Sequence, residues 1–287
     1  MLIQNLTLIG VGLIGGSLAR ALKQAEQCGH IIGCGRNVEN LQTAVRLGVI
    51  DAYETELAQA VANADVVVVA TPLGAMDATL QAIAPALKTS AIVTDVGSAK
   101  QSVAQAAYRH LSQHLQNMVP AHPIAGAEQS GVLAAKVDLF QQRRVIITPL
   151  AETSDAAKHT ITRMWQLTGA EVIDLPIDYH DQVLAATSHL PHMLAYALVD
   201  LLASMETGED IFRFAAGGFK DFTRIASSDP TMWHDICVAN RNALVVMLKR
   251  FQQHLAKLTT DIEQQHDGEF KALFQRAKTA RDQFNLP

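Results

Sequence analysis

Two kinds of apolar pattern alternate along the first half of the chain. Short runs rich in Val and Ile at 6–9, 30–34, 65–70, 91–95, 117–121, 144–148 and 171–175 predict strands. Between them, apolar positions recur at helical spacing over 14–24, 40–47, 75–87, 102–116 and 154–168. The 65–70 run is apolar throughout after Asp65, as expected of a strand covered on both faces. Strands and helices in strict alternation imply an α/β fold, a parallel sheet wrapped by helices. After Pro176 the pattern turns almost wholly helical, punctuated near Gly217-Gly218, Asp229-Pro230 and Asp267-Gly268. This predicts an α/β domain over 1–177 followed by an all-α domain over 178–287. A long apolar helical face at 194–202 predicts a homodimer.

Composition narrows the class of protein. With 287 residues, 49% hydrophobic and 18% charged, the chain has material for two cores. Lys plus Arg total 23 and Asp plus Glu 28, a net charge of −5 that argues against nucleic acid or an anionic membrane as partner. The three cysteines, Cys28, Cys34 and Cys237, form no CxxC, so neither a disulfide scaffold nor a Cys-rich metal site is expected. The apolar start lacks the charged region of a signal peptide, and no run is long enough to span a membrane, so a cytoplasmic location is expected.

Gly10-Val-Gly12-Leu13-Ile14-Gly15 follows the first predicted strand and opens the first predicted helix. That placement turns a weak GxGxxG pattern into a dinucleotide-binding turn. Gly10 allows the tight turn, Gly12 lets the backbone approach a pyrophosphate, and Gly15 permits close helix packing. About 20 residues further on, where an NAD site usually carries Asp or Glu, stand Gly35-Arg36-Asn37. Arg36 suits a 2′-phosphate, so NADP is favoured, with NAD the alternative.

Other candidates lie at the ends of the later strands, where ligands bind in an open α/β sheet. They are Thr71-Pro72, Asp95-Val-Gly-Ser98 and His122-Pro123. The helical half adds His189 and His192, three apart on one face, with Pro191 between them freeing the Thr187 carbonyl. A metal reading of that pair finds no supporting Cys or HExxH. Arg224, set among aromatic and small residues, suits a buried carboxylate binder.

Five stretches, GVGLIGGS at 10–17, DVGSAK at 95–100, HPIAGAE at 122–128, TSHLPH at 187–192 and GFKDFTRIASSDPTMW at 218–233, occur in order over nearly the whole chain. Together they resemble the prephenate/arogenate (cyclohexadienyl) dehydrogenase family of tyrosine biosynthesis. The resemblance implies a Rossmann-type domain followed by a helical dimerisation domain. It implies oxidative decarboxylation of prephenate to 4-hydroxyphenylpyruvate or of arogenate to tyrosine, with hydride passing to NAD(P)+. By that resemblance His122 is the catalytic histidine that takes the ring-hydroxyl proton, and Ser98 orients it. Arg224 binds a substrate carboxylate, while His189, His192, Glu128 and Trp233 line the substrate pocket. Gly10, Gly12, Leu13, Ile14, Gly15, Arg36, Thr71 and Pro72 hold the cofactor. Two rival readings keep the glycine turn. A β-hydroxyacid dehydrogenase or imine reductase would lean on a lysine, Lys220 being the obvious one. A non-catalytic NADP sensor would have no need of His122, Ser98 and Arg224 together.

Overall fold

The structure is a computed structural model that describes residues 1–127, 129–206 and 208–284. The chain starts with β1 (Ile3–Ile9), α1 (Leu13–Gln24), β2 (Cys28–Cys34), α2 (Val38–Arg46), β3 (Ala52–Glu54) and α3 (Leu57–Val61). It returns through β4 (Val66–Val69), α4 (Met76–Ile83), β5 (Ile92–Asp95), α5 (Gln101–His110) and β6 (Met118–Val119). These six strands form one sheet in the order β3-β2-β1-β4-β5-β6, every neighbouring pair parallel. This is the doubly wound dinucleotide-binding order, and it reverses direction between β1 and β4. Leu6 to Ile9 pair in register with Val66 to Val69, so both strands end side by side at that switch point.

Both sheet faces are buried, which explains the unbroken valines. Val66 and Val68 pack with Leu18, Leu22 and Trp165 in one core, whereas Val67 and Val69 pack with Leu80 and Ile83 in the other. Alternate side chains of a strand point to opposite faces, so one run serves two cores.

The predicted strand at 117–121 is two strands in two sheets. Pro120 has no N–H for a ladder and breaks the run. Its carbonyl instead accepts from Thr148 N at 2.9 Å. Downstream, β7 (Ala121–Pro123), β8 (Arg144–Ile147) and β9 (Glu171–Asp174) make a second sheet, with α6 (Asp155–Gln166) between β8 and β9 in sequence. β7 runs antiparallel to β8, and β8 parallel to β9. The predicted helix at 75–87 ends early, at Ile83, with Pro85 in a following 3₁₀ turn. The one at 102–116 ends at His110. β3 and α3 were absent from the pattern-based reading because three and five residues are too few to show a period.

Beyond Pro176 the described elements are helical: α7 (Ile177–Leu184), a π-helical turn (Ala185–His189), α8 (Leu190–Ala203), α9 (Gly208–Arg213), α10 (Gly217–Thr223) and α11 (Pro230–Ala239). Pro191 sits at the second residue of α8 and lacks the N–H that would continue the α ladder, and the wider π turn precedes it. The chain packs as two compact units, Met1–Arg241 and the segment from Asn242 onward. The packing division therefore lies further along than the change from alternating to helical pattern near 177. The second unit holds α12 (Arg241–Glu263), which begins at the division, and α13 (Asp267–Gln283). Among the described residues no helix is long and apolar enough to cross a membrane.

Candidate active site

The cofactor end is built by glycines. Gly10 follows β1 with φ +98°, a backbone state that L side chains rarely adopt. A Cβ there would lie 2.4 Å from the Ala70 carbonyl oxygen, because β1 and β4 end together. A Cβ on Gly15 would lie 2.4 Å from the Gly10 carbonyl oxygen. Gly12 differs: its missing Cβ faces open space. It is the N-cap of α1 and has no side-chain cap, so the first N–H groups of the helix, at Leu13, Ile14 and Gly15, are left for an anion. Thr71, just past β4, holds a buried hydroxyl with no hydrogen-bond partner among the described residues. Pro72 beside it is exposed. Arg36 is exposed two residues beyond β2 and has no ion-pair partner among the described residues. An open backbone approach, helix N–H groups, an unpartnered hydroxyl and a spare guanidinium together fit a dinucleotide.

The same loop is tied to the helix that carries Trp233. Gly74 N donates to Asp235 Oδ2 at 3.1 Å, and a Cβ on Gly74 would lie 2.6 Å from that oxygen. Asp235 and Trp233 are both on α11.

The reacting end is a chain of buried polar groups. His122 is on β7, and its Nδ1 lies 2.9 Å from His180 Nε2 on α7. His180 Nδ1 lies 2.8 Å from Asp181 Oδ1. Asp181 also accepts from Lys100 N at 2.8 Å and Gln101 N at 2.9 Å, at the start of α5. Burial works against its charge, but these donors prevail and hold its carboxyl below the usual range. An ionised Asp181 accepts only, so His180 Nδ1 carries a proton and, with burial keeping His180 neutral, its Nε2 holds a lone pair. That lone pair accepts from His122 Nδ1–H, which leaves His122 Nε2 as the free acceptor. Burial, with His180 and Lys100 adding to it, pushes His122 well below the usual imidazole range. The result is a neutral base of known tautomer.

Beneath this chain lies a buried ion pair. Lys100 Nζ donates to Asp95 Oδ2 at 2.5 Å and to the Ala121 carbonyl at 2.6 Å, with both charged side chains fully buried. Asp95 further accepts from Gly97 N at 2.7 Å and Ala121 N at 3.1 Å. The pair therefore clamps the residue before His122 to the end of β5.

His189, in the π turn, is 1% exposed. Its Nδ1 faces Asn240 Nδ2 at 3.0 Å, and burial lowers its pKa to about 4. His192 Nδ1 donates to the Ser188 carbonyl at 2.8 Å, and its ring stacks on Trp233 with centroids 3.5 Å apart. Trp233 Nε1 and His189 Nε2 are buried polar atoms without a close hydrogen-bond partner among the described residues. Beside the stack a cavity of about 410 Å³ is lined by Met193, Tyr196, Trp233 and Cys237.

Two expectations change. The orientation of His122 was assigned to Ser98, but among the described residues His180 holds its Nδ1 and Ser98 makes no hydrogen bond to it. Ser98 is partly buried in the loop between Asp95 and Lys100. Arg224 was expected to be buried, yet it is exposed, because the seven-residue α10 that precedes it buries none of its residues. It still lies close enough to His192 to disfavour that ring's protonation. Glu128 lies outside the described residues. Pattern reading named Asp95 at a strand end and Lys100 within DVGSAK but not their pairing, and it missed His180, Asp181 and Asn240. The advance signal for His180 and Asp181 was polar residues on what proves to be the buried face of α7.

Residues 18–174 match the family model described as prephenate dehydrogenase, nucleotide-binding domain, and residues 177–276 match prephenate dehydrogenase, dimerization domain. The chain belongs to the prephenate dehydrogenase family. It is similar to a cyclohexadienyl dehydrogenase of Zymomonas mobilis, at 38% identity over 93% of this chain and 91% of that one. It is also similar to a prephenate dehydrogenase of Bacillus subtilis, at 37% identity over 97% of this chain and 74% of the relative. The solved prephenate dehydrogenase of Aquifex aeolicus, in complex with hydroxyphenyl propionate and NAD+, superposes with a TM-score of 0.90 at 35% identity, covering 97% of each chain. In this chain the glycine turn and the histidine chain fall in one compact unit.

Proposed function

We propose that this protein oxidatively decarboxylates prephenate, arogenate or both, forming 4-hydroxyphenylpyruvate or tyrosine. The observation that carries the reading is the buried His122–His180–Asp181 chain, which leaves a neutral His122 Nε2 as proton acceptor. Gly10, Gly12 and the first N–H groups of α1 would hold NAD(P)+, which would supply the hydride acceptor for the ring carbon bearing the hydroxyl. As that carbon–oxygen bond gains double-bond character, the hydroxyl proton becomes acidic and His122 accepts it. Loss of carbon dioxide then returns electrons to the ring, and the phenol oxygen regains a proton. Ser98 lies in the loop beside this step, Arg224 receives a substrate carboxylate, and His189, His192, Glu128 and Trp233 surround the substrate.

NADP is the favoured cofactor, because the exposed Arg36 has no ion-pair partner among the described residues and no carboxylate stands in its place after β2. The helical part over 178–287 carries the dimer contact, supported by the description of the matching family model. The test is NAD(P)H formation with prephenate and arogenate, each offered with NADP+ and NAD+. Turnover with the NADP+ pairs fastest is expected. Absence of turnover in all four mixtures, with cofactor binding intact, would overturn the reading.

A further inference from the structure

Asp181 serves the site twice, and only one of its services lies on the path to His122. Its carboxylate anchors His180. Its backbone carbonyl accepts from Asn240 Nδ2 at 2.8 Å. A carbonyl only accepts, so the Asn240 atom facing it must be the amide nitrogen, which settles how that amide is turned. The same nitrogen lies 3.0 Å from His189 Nδ1. An NH₂ group has two protons, and both are thereby assigned, one to Asp181 and one to His189. His189 Nδ1 must then be the acceptor. A neutral imidazole with a lone pair on Nδ1 carries its proton on Nε2. That Nε2–H is buried and has no close hydrogen-bond partner among the described residues, with the Ser98 backbone beside it favouring a proton on the ring.

We infer that Asn240 is a positioning residue that locks His189 in the Nε2–H tautomer, aiming a buried donor beside Ser98 at an oxygen of the bound substrate. The two histidines are thus set in opposite senses from one aspartate. His122 presents a lone pair through His180, and His189 presents a proton through Asn240. An acceptor and a donor of fixed polarity distinguish the hydroxyl that must lose a proton from an oxygen that must be held. Asn240 is 4% exposed and caps the end of α11, the helix of Trp233, so its amide is fixed by backbone as well as by its two acceptors.

The inference rests on the dehydrogenase reading for its substrate, but its first test does not. ¹⁵N NMR of the wild-type enzyme at neutral pH should show His189 with a protonated Nε2 and a pyridine-like Nδ1. A protonated Nδ1 would overturn the inference whatever the enzyme's activity. Failure of the functional reading would instead show as no turnover by the wild type, with the NMR result unaffected. The second test is kinetic. Asn240→Ala, checked for folding by circular dichroism, should raise KM for the cyclohexadienyl substrate about tenfold, the weight of one hydrogen bond, with kcat changed less than about threefold. His189→Gln, which keeps a donor at the Nε2 position, should retain more substrate affinity than His189→Asn, which does not. This second pair keeps the test decisive if Asn240→Ala fails to fold. Equal losses in the two His189 variants, or an unchanged KM in a folded Asn240→Ala, would overturn the role.

Discussion

Gly10 and Gly15 shape the cofactor end by lacking side chains, whereas His122, His180 and His189 shape the reacting end by hydrogen bonds that leave two ring atoms, the Nε2 of His122 and of His189, without a close partner among the described residues. At the glycine turn, backbone approaches backbone so closely that a single methyl group would collide at 2.4 Å. At the histidine cluster, each ring nitrogen that contacts protein has a donor or acceptor of defined sense, ending on Asp181. The first region tolerates no added volume, and the second tolerates no lost hydrogen bond. Substitutions of the two kinds should therefore fail differently, the first in cofactor binding and the second in substrate binding or the chemical step.

The largest effect is expected at His122. His122→Ala should lower kcat by ~10²–10⁴, the usual contribution of general acid–base catalysis, while the Kd for cofactor holds. Asp181→Asn comes next, because an amide in place of the carboxylate no longer compels His180 to donate from Nδ1. Its kcat/KM should fall by about 10–100-fold, the weight of a hydrogen bond to a charged group. A fall in cofactor affinity alone would break the contrast between the regions. Gly10→Ala should act the other way. A left-handed backbone and a clash with Ala70 cost about 1–3 kcal/mol, which should weaken cofactor binding by about tenfold or more in isothermal titration. The smallest effect is expected at the exposed Arg36. Arg36→Asp should weaken NADP by about tenfold and leave NAD nearly unchanged, and equal losses for both would remove its 2′-phosphate role.

The contrast also explains what was legible in advance. The six-stranded sheet was largely readable because Val66 to Val69 are apolar on both faces and glycines mark the turn after β1. The division of 117–121 was not, since Pro120 and its neighbours look like one strand until the ladder must be built. At the site, His122 and Ser98 stood out at the ends of strands. His180 and Asp181 did not, because a polar pair on a helix looks like a solvated face when its burial is unknown. Asn240, 51 residues from His189 in sequence, has no local pattern connecting the two. Asp95 and Lys100 sat inside a stretch already singled out, yet nothing in their spacing showed that they pair with each other and with Ala121. Hydrogen bonds of long range carry no period, so the buried polar network became visible only with the fold.

The central claim is that His122, kept neutral by burial and held in one tautomer by the chain to Asp181, accepts the proton in the hydride-transfer step. The pH dependence of kcat/KM tests this most directly. Burial lowers the pKa of His122, so its neutral form persists to more acid pH than that of a free histidine, near 6.5. Activity should rise with pH through an acid limb well below 6.5 and stay level across neutrality. That limb should disappear from the residual activity of His122→Asn. A limb at or above 6.5, or one unchanged in His122→Asn, would contradict the account.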